Sequence, residues 1–193
     1  MEDAGNILFS GVGGQGILLA SEITAYSLLA VGYDAKKSEV HGMAQRGGSV
    51  TAQLRYGEKV YSPLIEPGQA DIQVAFEMME AVRYIPFLHR GSKVIVNTQK
   101  ILPPAVATGQ AEYPADVLDN LIDHEIVVVK VDAFDLAREV GEVRTANVVM
   151  VGAMSSFLPV SPDVYGDIIR ARVPEKFRDA NLRAFEAGRR ASE

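Results

Sequence analysis

The sequence predicts an α/β protein: a three-layer, Rossmann-like arrangement with a mainly parallel sheet, an added antiparallel hairpin and a helical C-terminal part. Three observations carry this prediction. Short apolar runs of strand length alternate with helix-patterned stretches up to residue 131. A glycine-rich turn, Gly11-Val12-Gly13-Gly14-Gln15-Gly16, separates the first strand-like run from the first helical one. From Phe134 onward every patterned stretch reads as helix.

Residues 7–10, Ile-Leu-Phe-Ser, form an apolar run with glycines on both sides, as expected of a buried strand. Residues 17–29 are rich in Leu, Ala and Ile and predict a helix packed on the sheet. A second extended stretch spans residues 34–39, and a polar, glycine-containing loop follows from residue 41 to 48. Val50, Ala52 and Leu54 then alternate with Thr51, Gln53 and Arg55, the period of a half-exposed strand. Tyr56-Gly57-Glu58 turns that strand into Lys59-Val60-Tyr61, which predicts the hairpin. Strand-like runs recur at 72–76, 93–97 and 126–131, with helical patterns around 78–88 and 115–123 between them. The tail divides into helices over 134–140, 146–157, 162–172 and 175–190, with Pro162 and Pro174 suited to first helical turns. Without an internal repeat or a low-complexity linker, the chain reads as one domain over residues 1–193.

A chain of 193 residues that is 48% hydrophobic and 23% charged is long and apolar enough to bury a substantial core. Its formal net charge of −6 argues against a reader of phosphate backbones, so no nucleic-acid partner is expected. There is no cysteine, hence no disulfide, no thiolate nucleophile and no ligand set for a conventional iron–sulfur cluster. His41, His89 and His124 are far apart and lack zinc-site spacing, so no metal site is expected. Gln15 and Glu22 interrupt the longest apolar run, and Glu2 and Asp3 stand where a secretory signal would be basic. The expectation is a soluble, cytoplasmic protein without a membrane partner.

Residues 11–16 match G-x-G-x-x-G directly after a strand and before a helix, the setting in which backbone N–H groups approach a phosphate. Close packing of strand, turn and helix would require the same glycines. A dinucleotide site also wants an acidic residue about 20 residues on, near the end of the second strand. Asp34 lies at the start of that strand, followed by Lys36 and Lys37, and Glu39 lies late. The second feature is the segment His41-Gly42-Met43-Ala44-Gln45-Arg46-Gly47-Gly48, leaving the carboxyl end of a strand, where ligands of open α/β sheets gather. Arg46 suits a phosphate or carboxylate and Gly47 a close backbone approach; an ordinary connection with a solvated or paired arginine reads equally well. Glu77 and Asn97 follow two predicted strands at the same edge, either as ligand contacts or as helix-capping and turn residues. The candidate cofactor-binding residues are thus Gly11, Gly13, Gly14, Gln15, Gly16, His41, Arg46, Gly47, Glu77 and Asn97. No catalytic triad or paired-carboxylate pattern is legible, so no catalytic residue is assigned.

Taken together, residues 11–16 and the segment Glu39-Val40-His41-Gly42-Met43-Ala44-Gln45-Arg46-Gly47-Gly48-Ser49-Val50 resemble the gamma-domain family of pyruvate/2-oxoacid:ferredoxin oxidoreductases. Ala70-Asp71-Ile72 with Glu77 and Glu80, and the tail residues Asn147, Gly152, Asn181, Phe185 and Gly188, extend the resemblance over almost the whole chain. It implies the small subunit of a thiamine diphosphate-dependent enzyme that decarboxylates a 2-oxoacid, with indolepyruvate and other arylpyruvates as natural candidates. Electrons would pass through iron–sulfur clusters to ferredoxin and the acyl group to coenzyme A as co-substrate. Without cysteines, and with Gly166-Asp167-Ile168 in place of a glycine–aspartate–glycine element, both cofactors are expected in a larger alpha subunit, and this chain is expected to be inactive alone. An isolated chain is expected to self-associate, if at all, through its own surface meant for the partner. Two alternatives stand beside this one. The first is an NAD(P)-binding oxidoreductase, suggested by the glycine turn. The second is a non-catalytic assembly module that binds a nucleotide or coenzyme A.

Overall fold

The computed structural model describes residues 4–42, 48–102, 104–114 and 117–192. Six of the seven stretches read as strands form one: β1 (Gly5–Val12), β2 (Asp34–His41), β3 (Ser49–Gly57), β4 (Ala70–Ala75), β5 (Leu88–Asn97) and β6 (Val127–Val131). They make one sheet in the order β2-β3-β1-β4-β5-β6. β1, β4, β5 and β6 are parallel, whereas β3 runs antiparallel to both β1 and β2. β3 is therefore the reversed strand, and the carboxyl ends of the other five, from Val12 to Val131, share one edge.

The antiparallel element differs from the expected hairpin. β3 pairs with β2 across residues 42–48, and Lys59-Val60-Tyr61 is not a strand. The Asp34 carboxylate accepts the Val60 N–H at 2.9 Å and meets Lys36 Nζ at 2.9 Å, so the segment after β3 is tied back to the start of β2. That backbone hydrogen bond, with Lys36 behind it, holds the Asp34 carboxyl below its ordinary range. Alternation alone gives no sign of such a tether.

Helices cover both faces of the sheet, because alternate strand residues point to opposite sides. Ile7, Phe9, Val74 and Ile95 face α1 (Ile17–Ala30) and α6 (Ala146–Ser155). Leu8, Ala75, Val94 and Val96 face α2 (Met78–Arg83) and α4 (Asp119–Asp123). The helical pattern around 78–88 breaks after Arg83, and residues 85–87 form a 3-10 turn with Pro86 inside it. The start of α4 falls later than the predicted 115, and residues 115–116 lie outside the described residues. A short α3 (Pro104–Ala107), which no periodicity announced, precedes it. The tail forms α5 (Ala133–Glu139), α6, α7 (Pro162–Arg172) with Pro162 in its first turn, and α8 (Arg178–Ala191). Among the described residues no helix is long and apolar enough to cross a membrane.

α6 and α8 cross backbone to backbone. A Cβ on Gly152 would lie 2.0 Å from the Phe185 carbonyl oxygen, and one on Gly188 would lie 1.9 Å from that of Val149. The two glycines are thus what allows this approach, and it holds the α6 face that packs against the sheet.

Candidate functional site at the carboxyl edge of the sheet

The glycine turn is a braced structure. Gly14 (φ +104°) and Gly16 (φ +76°) occupy left-handed backbone that other residues adopt at a cost. The Val12 N–H donates to Gln15 Oε1 at 2.7 Å, and Gln15 Nε2 donates to the Phe76 carbonyl at 2.8 Å, so Gln15 staples the turn to the end of β4. The Gly13 N–H donates to the Gly48 carbonyl at 2.9 Å, and the Gln15 N–H donates back to Val12. Asn147, in the first turn of α6, donates Nδ2 to the Gly16 carbonyl at 3.3 Å. A Cβ on Gly16 would lie 2.5 Å from that same nitrogen. With the Val12, Gly13 and Gln15 amides engaged, what the turn keeps for a ligand is Gly14, Gly16 and the opening N–H groups of α1. Gly11 lies one layer deeper, where a Cβ would meet Gln15 Oε1 and Phe76 Cβ at 2.8 Å.

Glu77 and Asn97 stand at the same edge, as expected from the strand ends, and both are buried. Glu77 caps α2: its Oε2 accepts the N–H groups of Met79 (2.6 Å) and Glu80 (3.2 Å). Its Oε1 accepts the Ile101 N–H (3.2 Å) and the Tyr113 hydroxyl (2.9 Å). Burial, then this carboxylate, pushes the Tyr113 hydroxyl well above its ordinary range. Asn97 donates to the Phe76 carbonyl at 3.2 Å and accepts the Ala133 N–H at 3.2 Å, joining the ends of β4 and β5 to α5. The Phe76 carbonyl thus receives both Gln15 and Asn97.

Between these groups lies a cleft of about 300 Å³, bordered by Gly14, Gly16, Phe76, Asn97, Phe134 and Arg144. Arg144 supplies its cation. The guanidinium makes a two-point bond to Glu142, Nε to Oε1 at 2.9 Å and Nη2 to Oε2 at 2.6 Å, and lies over the Phe177 ring at 4.8 Å. The Arg144 side chain, followed by its own backbone N–H, lowers the Glu142 carboxyl to about 2. The carboxylate therefore stays charged, and whatever the pair contributes is present above the ordinary glutamate range and lost only as pH falls towards 2. A carboxyl-detected NMR titration should find Glu142 titrating near that value, returning towards its ordinary range in Arg144→Ala; an unchanged titration in the variant would contradict the pairing.

His41 ends β2 at this edge, while Arg46 and Gly47 lie outside the described residues. Arg144, Asn147 and Phe134 were not among the candidates from the sequence. Asn147 meets Gly16 across 131 positions, a separation that no local pattern encodes. Asp34, the weak acidic half of a dinucleotide fingerprint, opens β2 at the opposite end of the strand from the glycine turn, and Glu39 pairs with Lys37 at 2.5 Å. The NAD(P) alternative thus lacks its ribose partner in the cleft. Gly166-Asp167-Ile168 lies inside α7, so it does not offer a cofactor-binding loop. Among the described residues, no group of three or more His, Asp or Glu is arranged to hold a metal.

Comparison with known proteins bears on the family and the fold. The family model described as pyruvate ferredoxin/flavodoxin oxidoreductase matches residues 6–191. An indolepyruvate oxidoreductase subunit IorB of Thermococcus kodakarensis is 42% identical over 192 residues, covering 97% of this chain and 95% of that one. The gamma subunit of a keto/oxoacid ferredoxin oxidoreductase from Geobacter sulfurreducens superposes with a TM-score of 0.73 at 25% identity, covering 97% of this chain and 98% of that one. A 2-oxoglutarate:ferredoxin oxidoreductase from Magnetococcus marinus shares the fold, with a TM-score of 0.78 at 18% identity. There the match covers all of this chain but 31% of the other.

Proposed function

Because this chain belongs to the pyruvate ferredoxin/flavodoxin oxidoreductase family and is the small, gamma-type subunit of a 2-oxoacid:ferredoxin oxidoreductase, we propose that it completes an enzyme acting on indolepyruvate or another arylpyruvate. The single observation that carries the substrate is the 42% identity, over nearly both full lengths, to a subunit named for indolepyruvate. In this reading residues 1–193 form one gamma-type domain of a cytoplasmic complex.

The chemistry divides between chains. Decarboxylation on thiamine diphosphate and electron transfer through iron–sulfur clusters to ferredoxin belong to a larger alpha subunit. This chain has no cysteine to ligate a cluster, and its one glycine–aspartate pair of that kind is helical. The residues present therefore fit neither group. The Magnetococcus marinus match supports a larger partner, since there the same fold is one part of a longer chain.

What remains for this subunit is an anion-binding edge turned to the partner. Gly14, Gly16 and the opening N–H groups of α1, with Arg46 and Gly47, would hold an anionic part of coenzyme A, as a helix N-terminus behind a glycine turn favours. Gly11 and Gln15 keep the turn in shape, and Glu77 and Asn97 brace the strand ends beneath it. His41, the last residue of β2, is a further candidate at this edge. The rim also exposes Phe134 and Val143, apolar side chains suited to burial in an interface.

The test is a substrate panel on the co-expressed complex. Dye reduction with coenzyme A present should be at least about tenfold more efficient with indolepyruvate or phenylpyruvate than with pyruvate, the discrimination one filled apolar pocket supplies. Equal efficiency across the panel would overturn the arylpyruvate assignment, while loss of all activity on omitting this chain is expected whatever the substrate.

A further inference from the structure

We propose that Glu80 is a positioning residue for the glycine turn, acting through Ser49 and Gly48. Glu80 lies on α2, with a side chain only 5% exposed, and it touches neither the cleft nor the turn. Its carboxylate nevertheless joins two elements, α2 and β3. Oε2 accepts the Ser49 hydroxyl at 2.6 Å, and Oε1 accepts Arg83 Nε at 2.8 Å. The Tyr84 hydroxyl lies 3.0 Å from the same Ser49 oxygen. Ser49 is the first residue of β3, and the carbonyl immediately before it, that of Gly48, receives the Gly13 N–H. The Ser49 carbonyl in turn accepts the Gly42 N–H at 3.0 Å, which closes the β2–β3 hairpin.

One buried carboxylate therefore fixes the peptide that fixes the turn. The path from Glu80 to Gly13 runs through one charge-assisted hydrogen bond, one peptide unit and one backbone hydrogen bond. The peptide side of the same residue is anchored as well. The Glu80 carbonyl receives Gln73 Nε2 at 3.0 Å and the Ser10 hydroxyl at 3.3 Å, while Gln73 Nε2 also donates to Ser10 at 2.8 Å. Ser10 and Gln73 are fully buried in β1 and β4, so Glu80 is held against the two strands that carry the turn and the Phe76 carbonyl. A carboxylate suits this place because it accepts from Ser49 and Arg83 at once, which a neutral donor side chain does not.

The experiment is hydrogen–deuterium exchange on the assembled complex, read on peptides spanning 8–20 and, as an internal reference, 146–155 and 178–191. Loss of the buried acceptor in Glu80→Ala, or of the hydroxyl in Ser49→Ala, should speed exchange in the turn peptide about tenfold or more and leave the reference peptides unchanged. Glu80→Gln keeps an acceptor for Ser49 and should restore slow exchange. Unchanged turn exchange in Ser49→Ala would overturn the proposal by removing the link through Ser49, and equal acceleration of the reference peptides would overturn it by making Glu80 a general stabiliser. The consequence for coenzyme A rests on the edge proposed above and is read separately. In Ser49→Ala its KM should rise with kcat within about twofold, the pattern of lost uniform binding. Faster turn exchange with an unchanged KM would keep the positioning role and remove coenzyme A from this edge.

Discussion

Gly188→Ala is expected to lower the melting temperature by about 6–12 °C, from about 3 kcal/mol of overpacking at about 2–4 °C per kcal/mol for a chain of this size. The added methyl would sit 1.9 Å from the Val149 carbonyl oxygen, well inside contact distance and against backbone rather than a movable side chain. Relief requires α8 to move away from α6. α6 is buried along its length, and its first turn holds Asn147 against Gly16, so the displacement would reach the site. Gly152→Ala should act alike, since its methyl would sit 2.0 Å from the Phe185 carbonyl oxygen. Gly109→Ala is the useful contrast: nothing lies within 4 Å of its Cβ position, and only its left-handed backbone (φ +72°) would resist. Circular-dichroism melts of the three variants decide the matter, and a Gly188→Ala melt no lower than that of Gly109→Ala would contradict the close crossing.

Gly16→Ala is expected to damage the assembled enzyme more than Gly14→Ala, although both residues have positive φ. Left-handed backbone costs an alanine about 1–2 kcal/mol at either position. At Gly14 nothing else resists, because no atom lies within 4 Å of its Cβ position. At Gly16 the methyl would fall 2.5 Å from Asn147 Nδ2, so the side chain that holds the turn must leave its carbonyl. With the turn as part of the coenzyme A site, misplacement by about 1 Å can cost on the order of a hundredfold in rate. The expected result is at least a tenfold loss of kcat/KM for coenzyme A in Gly16→Ala and a smaller loss in Gly14→Ala. Equal effects would show that backbone strain alone matters and that the Asn147 contact is incidental.

The parts of the fold legible in the sequence were those written in local periodicity. The apolar or alternating runs behind β1, β3, β4 and β5 became strands because each has a buried face, while β2 is an extended, charged stretch without a buried residue among those described. The edge on which Gly13–Gly16, Glu77 and Asn97 gather was also legible, since parallel strands bring their carboxyl ends together. Tertiary contacts decided the rest. Lys59-Val60-Tyr61 looks like the return strand of a hairpin, yet its backbone is captured by Asp34, and β3 already has β1 and β2 on its two sides. Arg144 and Asn147 belong to the helical tail, where side chains reaching back to the first turn leave no periodic signal. Gln15 reads as a ligand contact from its position and Glu77 as either a ligand contact or a helix cap; in the structure Gln15 braces the turn and Glu77 caps α2, which leaves shape rather than direct contact as their part in the proposed site.

The dependence of this chain on a larger partner is tested most directly by tagging it in its native host and purifying it gently without oxygen. A larger, brown, thiamine-dependent subunit should elute with it, and the eluate should reduce a viologen dye when given an arylpyruvate and coenzyme A. Recovery of the tagged chain alone, inactive and without a companion, would contradict the proposed division of labour and leave a nucleotide-binding module in its place.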